Sequence, residues 1–497
     1  MKHLKLICCL LCVGILSTSC FEDQDDNLII ASDINDFVWK GMNAYYLYKE
    51  EIPDLANDRF DSNEAYGAYL SAFSTPENLF QSLLFDPNNV DEFSFLISDY
   101  IAWEQALSGQ SISNGMEYGL VFSPGSSSNV FGYVRYVLPD SNAEMAGIQR
   151  GHIFTSVNGE SLYYNSSSDN NLNLLNLSAF DIDIASYEDN GTEEFEDDII
   201  TPGTEFVSLA TEPYQENPIY YHDVLNASGS NVGYIVYNRF SGSDNYDSEL
   251  NAVFGEFQAA NVSELVIDLR YNPGGFVRTA TWLASMVTGQ HTNETFISEQ
   301  WNPEIQTVLE ADAPESLLNP FTDEMIKTNS DGNIVFQESI NHLNLNRVYI
   351  LTTGSTASAS ELIINGLDPY IDVVHIGTTT RGKYQASLTL YDSPTFSKTE
   401  INPNHTYAMQ PLVFKSLNAN GNTDYFDGLT PDILVGENYG NLGILGSPDE
   451  TLLAAALQHI SGLGRTAYPT PTLIELDHPK ASEPGYYDMF SSKSVLR

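Results

Sequence analysis

From about residue 215 to residue 465, short apolar runs rich in β-branched residues alternate with segments whose apolar residues recur at helical spacing. The apolar runs are Val232–Tyr237, Glu264–Leu269, Arg347–Thr352 and Val373–Ile376, and the helical segments are Asp247–Ala260 and Ser358–Leu367. Alternation of this kind lets helices cover the faces of a sheet. It predicts a layered α/β core over residues 213–465.

The rest of the chain divides into regions with other patterns. Residues 33–112 carry aromatic and apolar residues at helical spacing and predict an N-terminal helical domain. Residues 113–212 show short strand patterns broken by turns, with an acidic, loop-rich insertion or linker over Asp183–Ile200. Residues 466–497 contain several prolines and predict a loosely ordered C-terminal tail.

The first residues have the features of an export signal. Lys2 and Lys5 precede an apolar run, Leu6–Leu16, that is too short to span a bilayer. Residues 1–19 therefore predict a cleaved signal peptide, and the small residues before Cys20 resemble a bacterial lipoprotein signal in which that cysteine is acylated. The alternative is a secretory peptide whose cysteine is incidental.

Residues 20–32 form an acidic tether, and its stretch Glu22–Asp26 resembles the surface-export tag of Bacteroidetes lipoproteins. These features predict export and attachment to the outer membrane of a Gram-negative bacterium through the lipid on Cys20. They leave open whether the protein faces the periplasm or the cell surface.

The net charge excludes one class of partner. It is −47 for the whole chain, and cleavage before Cys20 removes two lysines and no acid, giving −49. Such a charge repels phosphate backbones, so nucleic acid is not an expected partner.

A serine block follows the apolar run Val348–Leu351. In it, Ser358 precedes Glu361 by three residues, which is the pattern of a helix capping box and needs no catalysis. The same position suits a nucleophile, because a helix N-terminus places its positive dipole end and the N–H of Ala359 beside the serine.

A lysine block, Gly377–Lys383, follows the run that ends at Ile376. Its glycine and lysine spacing is close to that of a phosphate-binding loop, but Tyr384 stands where Mg²⁺ coordination needs Ser or Thr. An exported protein also has little access to ATP, so no nucleotide partner is expected. The simpler alternative is an exposed loop lysine.

A glycine turn ends the apolar run at residue 269. Gly274 and Gly275 lack side chains, so their backbone N–H groups can approach a bound oxyanion without obstruction. By itself the pattern is only a turn.

A further block consists of Tyr118–Phe122, Pro139–Ile153 and the turn Val157–Gly159. It resembles a PDZ domain, which binds peptides by adding them as a strand and capturing their carboxylate with backbone N–H groups. The candidate peptide-binding residues are Gly119, Leu120 and Val121. Val121 replaces the second glycine of the usual pattern, and His152 replaces the usual Asp. The alternative is an ordinary strand and turn.

The glycine, serine and lysine blocks together resemble the C-terminal processing, or tail-specific, serine peptidases. Two weaker features, Asp91–Phe95 and Gly428–Asp432, resemble their Bacteroidetes lipoprotein branch. The resemblance implies a PDZ-like domain beside a Ser/Lys peptidase core. It also implies that Ser358 is the nucleophile and that Lys383, 25 positions later, is the base.

The same resemblance implies supporting roles near the site. Glu361 and Thr380 match positions that the family retains. Family members commonly orient the lysine with a glutamine four residues later, where this chain has Ser387, and Gln385 lies two residues after the lysine. On a strand both would share the lysine's face, so either could orient it.

Lysine acts as a base only when neutral. Lowering its pKa from about 10.4 to near 7 requires roughly 4 to 5 kcal/mol, which burial must supply. The N–H of Ala359 and that of Gly274 or Gly275 would hold the oxyanion, and neither a metal nor an organic cofactor is required.

The sequence therefore predicts a serine endopeptidase that cleaves unstructured or C-terminally exposed polypeptides through an acyl-enzyme. The alternative is a catalytically inactive, PDZ-type peptide-binding surface lipoprotein. The chain lacks the Ser-x-x-Lys and Gly-x-Ser-x-Gly motifs of other serine hydrolases, and its nine histidines match no catalytic triad or zinc motif.

Overall fold

The computed structural model of the chain describes residues 33–192, 195–329, 332–463, 475–476 and 485–491. The predicted signal peptide, Cys20 and the acidic tether lie outside these residues, so the export and lipidation predictions are not addressed by the fold. Within the described ranges, no helix has both the length and the apolar composition needed to cross a bilayer.

The N-terminal region is helical, and side-chain caps begin three of its helices. Ser62, Thr75 and Asp99 each accept a hydrogen bond from a backbone N–H in the first turn of the helix that follows. The elements are α1 (Asp33–Tyr45), α2 (Asn63–Ser71), α3 (Pro76–Ser82), β1 (Phe95–Ile97) and α4 (Tyr100–Leu107). The buried face of α1, which includes Phe37, joins the core of the whole molecule.

Residues 110–215, the β-rich unit, form short strands around a separate apolar core. The elements are β2 (Gln110–Ser113), β3 (Met116–Phe122), β4 (Val130–Val137), α5 (Asn142–Met145), β5 (Ile153–Phe154), β6 (Ser156–Val157), β7 (Glu160–Ser161), β8 (Tyr164–Ser166), β9 (Asp169–Asn170), β10 (Ala179–Asp183), β11 (Ser186–Glu188), β12 (Ile199–Thr201), β13 (Phe206–Ala210) and β14 (Glu212–Gln215). Strands β3, β4 and β5 make one sheet, and β13, β10, β6 and β7 make another. The expected acidic insertion contains the antiparallel pair β11–β12.

The remaining residues build the layered core. Its elements are β15 (Ile219–Ala227), β16 (Ser230–Tyr237), α6 (Asp244–Ala259), β17 (Glu264–Asp268), β18 (Gly275–Phe276), α7 (Val277–Thr288), β19 (Thr295–Trp301), α8 (Pro303–Asp312), β20 (Leu318–Pro320), β21 (Glu324–Thr328), β22 (Ile334–Ser339), β23 (Arg347–Thr352), α9 (Ala359–Leu367), β24 (Asp372–Gly377), β25 (Gln385–Ser387), β26 (Leu390–Tyr391), β27 (Ala408–Gln410), β28 (Leu412–Asn418), β29 (Ile433–Leu434), α10 (Thr451–Ile460) and β30 (Met489–Phe490). Single 3₁₀ turns cover Lys49–Glu51, Pro53–Leu55, Leu172–Asn176, Phe195–Asp197 and Pro314–Leu317.

The central sheet has the order β15-β16-β17-β23-β24-β29, and its strands from β16 onward are parallel. Alternate residues of each strand face opposite layers. Ile267 and Ile350 join the core that includes α6, α7 and α9, whereas Val266 and Leu351 pack with α10. The sheet is therefore buried on both faces, and the predicted layered α/β fold and N-terminal helical domain are confirmed.

A second sheet, with the order β18-β30-β25-β28-β19-β20, brings distant parts of the chain together. Its strand β30 belongs to the region for which the sequence predicts a loosely ordered tail. That expectation is wrong for residues 485–491, because Met489 and Phe490 are buried and pair with strands on both sides. Their apolar side chains outweigh the disordering effect of the neighbouring prolines.

Candidate active site

Ser358 lies at the start of α9, after the loop that leaves β23. Its backbone φ is +64° and its ψ is −117°, a sparsely populated conformation that costs a non-glycine residue about 1–3 kcal/mol. Thr356 fixes the loop by donating its hydroxyl to the carbonyl of Leu269, 2.8 Å away. The Ser358 Oγ is buried and has no hydrogen-bond partner among the described residues.

Glu361 connects the serine loop to the lysine loop. One carboxylate oxygen accepts the backbone N–H of Ser358 at 2.7 Å and that of Lys383 at 2.9 Å. The other oxygen accepts the backbone N–H of Gly382 at 2.6 Å and the hydroxyl of Thr380 at 2.5 Å. Burial raises the pKa of Glu361 to about 7, against the opposing effect of these four donors.

One half of the predicted capping box is a hydrogen bond in which the Ser358 N–H donates to the Glu361 carboxylate. The Ser358 hydroxyl faces the Glu361 N–H as in a capping box, but it makes no hydrogen bond of ordinary geometry among the described residues. The Gly382 and Lys383 N–H groups, which a phosphate-binding loop would present to a nucleotide, already donate to Glu361. This arrangement leaves no phosphate cradle at the lysine block.

Lys383 is fully buried, with 0% of its surface exposed. Its Nζ donates to Asp488 Oδ1 at 2.7 Å and lies 4.7 Å from the centre of the Phe93 ring. Burial lowers the pKa of Lys383, while the charges of Asp488, Asp91 and Glu361 oppose that shift. The expectation of an exposed loop lysine therefore does not describe this residue.

The glycine turn approaches the serine closely. Gly274 has a φ of +114°, and a Cβ at this position would lie 2.7 Å from Ser358 Oγ. The Gly274 N–H donates to Asn272 Oδ1 at 2.9 Å, so it is already occupied. Gly275 and Ala359 are the remaining predicted oxyanion donors, and the Ala359 N–H belongs to the first helical turn, whose donors lack partners within the helix.

The two candidates for orienting the lysine make other contacts. Gln385 Nε2 donates to the hydroxyl of Tyr48 at 3.0 Å, and the Gln385 Oε1 atom is buried without a partner in the described part of the chain. Ser387 Oγ donates to the carbonyl of Met489 at 3.2 Å. The choice between Gln385 and Ser387 stays open.

The predicted peptide-binding residues Gly119, Leu120 and Val121 lie within β3, paired with β4, rather than in a loop. On the other edge of β3, Val121 makes an antiparallel bridge with Glu475, and the Leu120 carbonyl accepts the N–H of Leu476 at 2.8 Å. This edge therefore forms main-chain hydrogen bonds to an extended segment, as the prediction requires of a peptide site. Assignment to the PDZ fold stays a prediction.

The sequence profile of peptidase family S41 matches residues 231–435, and that of the peptidase S41 N-terminal domain matches residues 33–95. Together the two matches cover more than half of the chain. The chain belongs to peptidase family S41. This membership supports a serine-type peptidase, and the predicted family resemblance is confirmed.

Two solved structures are among those similar to this chain. A Bacteroides fragilis protein described as an S41 protease is 25% identical, with a TM-score of 0.62, covering 86% of this chain and 98% of that one. The photosystem II D1 C-terminal processing protease is 16% identical, with a TM-score of 0.45, covering 82% and 94% of the two chains. No curated protein matches the chain significantly.

Sequence reasoning about this S41 peptidase missed three residues around the lysine. Phe93 and the buried Asp91 come from the N-terminal region, and Asp488 comes from the predicted tail. The block Asp91–Phe95 had a detectable family signal, whereas nothing in the local sequence marks Asp488. Within the described residues, no group of three His, Cys, Asp or Glu side chains is arranged to hold a metal ion.

Proposed function

We propose that this S41 peptidase is a serine endopeptidase of the C-terminal processing type, in which Ser358 is the nucleophile and Lys383 the general base. The observation that supports this most strongly is the pairing through Glu361. A serine with a free hydroxyl and a fully buried lysine are linked by one carboxylate oxygen, which accepts both backbone N–H groups.

The proposed reaction uses the groups of this chain only. Neutral Lys383 takes the proton from Ser358 Oγ, which attacks the peptide carbonyl and forms a C–O bond. The N–H groups of Gly275 and Ala359 stabilise the oxyanion. Collapse of the tetrahedral intermediate expels the amine, which takes the proton that Lys383 holds. Neutral Lys383 then accepts a proton from water as the water attacks the acyl-serine, and that proton returns to Ser358 Oγ as the second product leaves.

The proposed substrates are unstructured polypeptides, including polypeptides with accessible C-termini. The β3 edge supports this proposal because it offers backbone hydrogen bonds to an extended chain beside the residues Gly119–Val121. We further propose that the protein is exported and held at the outer membrane by a lipid on Cys20, on the basis of its first twenty residues.

The test compares cleavage of casein, an unstructured polypeptide, by the parent protein and by Ser358→Ala, Lys383→Ala and Lys383→Arg. We expect all three variants to lose Ser358-dependent cleavage, measured by mass spectrometry of the released peptides. Lys383→Arg is the sharpest variant, since a guanidinium keeps the charge but does not lose its proton.

Cleavage by Lys383→Arg at the parent rate would contradict the role of Lys383 as a base. The inactive peptide-binding lipoprotein would be favoured instead if casein binds but gives no Ser358-dependent product. This result must hold at every pH and enzyme concentration tested, and also in Asp488→Asn. Palmitate labelling that disappears in Cys20→Ala would test the lipid anchor separately.

A further inference from the structure

Residues 485–491, here called the resident segment, lie in the gap between β18, which follows the glycine turn, and β25, which follows Lys383. Met489 and Phe490 form β30, which pairs in parallel with β18 on one side and with Ser387 of β25 on the other. The Ser491 N–H donates to the Ser387 carbonyl at 3.0 Å. The gap therefore holds an extended chain through main-chain hydrogen bonds, the mode by which peptides join an open sheet edge.

The backbone of Asp488 lies beside the nucleophile. Its carbonyl oxygen would be 3.0 Å from a Cβ on Gly274, and Ser358 Oγ would be 2.7 Å from the same point. The Gly274 carbonyl and the Phe276 N–H pair with Phe240 at 2.9 Å each. Backbone groups of successive residues in a strand point to alternate sides. The Gly275 N–H therefore points away from Phe240 and toward the Asp488 carbonyl.

The side chain of Asp488 occupies the base. Its carboxylate accepts from Lys383 Nζ at 2.7 Å, and Asp488 is only 2% exposed. An ammonium that donates to a carboxylate has no lone pair for a serine proton, and Ser358 Oγ has no hydrogen bond among the described residues. The resident segment thus fills the groove while keeping the proposed nucleophile and base uncoupled.

Side-chain contacts also hold the resident segment in this gap. The Phe490 ring lies 5.4 Å from the Phe276 ring and 5.6 Å from the Trp103 ring, measured between centroids. Thirteen residues before Asp488, the Glu475 carboxylate accepts hydrogen bonds from Arg135 at 2.5 Å and from the Tyr133 hydroxyl at 2.6 Å, next to the β3 edge. The same part of the chain therefore covers both surfaces to which a polypeptide would be added.

We propose that the resident segment is an internal pseudosubstrate, and that a polypeptide must displace it from the gap between β18 and β25 before Ser358 can react. This inference rests on the proposed peptidase function. Asp488 is its central residue, because it places a backbone carbonyl at the Gly275 N–H and a carboxylate on Lys383.

The first experiment measures casein cleavage by the full chain carrying Asp488→Asn, which keeps the size of the side chain and removes its charge. We expect Ser358-dependent cleavage to rise about tenfold or more, since activity scales with the fraction of molecules whose groove is free. Phe490→Ala, which removes the contacts with Phe276 and Trp103, should act in the same direction. Asp372→Asn removes an exposed carboxylate paired with Arg347 and is the matched control.

The second experiment adds the synthetic heptapeptide of residues 485–491 to the Asp488→Asn protein. The peptide with aspartate at its fourth position should inhibit cleavage, and the same peptide with asparagine should inhibit about tenfold more weakly, because it cannot pair with the lysine as an anion. Intact mass should show that the bond between residues 488 and 489 is not cut in the parent protein.

The outcomes separate the two proposals. If folded Asp488→Asn and Phe490→Ala proteins cleave at the parent rate, with cleavage abolished by Ser358→Ala, the pseudosubstrate role is wrong and the peptidase function stands. Equal effects of the two heptapeptides would also overturn it. Absence of Ser358-dependent cleavage in the parent and in both variants would remove the proposed function, and the pseudosubstrate role with it.

Discussion

At the scale of single residues, two opposing influences act on the pKa of Lys383. Complete burial disfavours its ammonium form, whereas the carboxylates of Asp488, Asp91 and Glu361 favour it. Phe93 covers the amine and adds a cation–π contact that favours the charged form. The balance between burial and these neighbours sets the pH at which the amine becomes neutral, the form that the proposed mechanism requires.

The pH dependence of kcat/KM should show this balance. In the proposed mechanism the neutral amine is the reactive form, so kcat/KM should rise with pH through the pKa of Lys383, which burial places below its ordinary value. Asp488→Asn removes a neighbouring negative charge, so the pKa of Lys383 falls and the midpoint should move to lower pH. Stopped assays of casein cleavage across the pH range measure it.

Asp372→Asn is the control for this shift, because Asp372 is exposed and pairs with Arg347. Asp91 and Glu361 remain in both proteins, so any difference between the two midpoints reports Asp488. A midpoint that moves to higher pH in Asp488→Asn would contradict the assignment of Lys383 as the base.

At the scale of elements, the site depends on the junction between β23 and α9. The strand ends at Thr352, the loop places Ser358 at a positive φ, and Glu361 in the first helical turn accepts from four donors. Two loops that leave neighbouring parallel strands are thereby joined through one side chain. Glu361 at the start of α9 therefore positions the backbones of Ser358 and Lys383 as well as capping the helix.

Glu361→Gln tests whether these four hydrogen bonds position Ser358 and Lys383. A glutamine amide turns one accepting oxygen into a donor, so two of the four buried donors lose their acceptor. We expect the free energy of unfolding to fall by about 1–3 kcal/mol. Misplacement of Ser358 and Lys383 should lower kcat by up to about 100-fold, with a smaller change in KM.

Urea unfolding and casein kinetics measure the two effects of Glu361→Gln. Glu64→Gln is a suitable comparison, since Glu64 occupies the first turn of α2 and is exposed, and its loss should cost less than about 1 kcal/mol. Full activity in Glu361→Gln would show that the four hydrogen bonds are not needed to position Ser358 and Lys383.

At the scale of the whole molecule, a buried ionic network connects the central sheet to its surroundings. Arg270, just after β17, donates to Asp268 and to both oxygens of Glu450, which caps α10. Arg150 of the β-rich unit donates to Glu437 at 2.9 Å, and Arg270 reaches the same carboxylate at 3.3 Å. The network therefore joins the sheet, the last helix and the β-rich unit at one point.

Arg270→Met should destabilise the fold strongly. Arg270 is 1% exposed, and its removal leaves the buried carboxylates of Asp268 and Glu450 without their main partner. The expected cost is about 3–5 kcal/mol in the free energy of unfolding, measured in urea. Arg347→Met breaks an exposed pair with Asp372 in the same sheet and should cost at most about 1 kcal/mol. Equal costs for the two variants would contradict this account.

Several features of the fold and of the candidate site were predictable because they are local. Alternating apolar runs and helical segments determined the layered core, and the observed β23 and α9 differ from the predicted ranges by at most one residue. Ser358, Glu361 and Lys383 were candidates because each follows a strand or begins a helix. Those patterns depend on side chains within one turn or one strand, so they can be read without knowing any partner.

Only the tertiary structure decided what surrounds these residues. Phe93 and Asp488 lie 290 and 105 positions from Lys383, and no periodicity links them to it. The pairing of β30 with β18 and β25 joins segments more than 100 positions apart in the chain, so no local pattern reveals it. Burial and charge pairing of Lys383 are properties of several distant segments at once, which is why sequence could state the need for a dry pocket but not identify its walls.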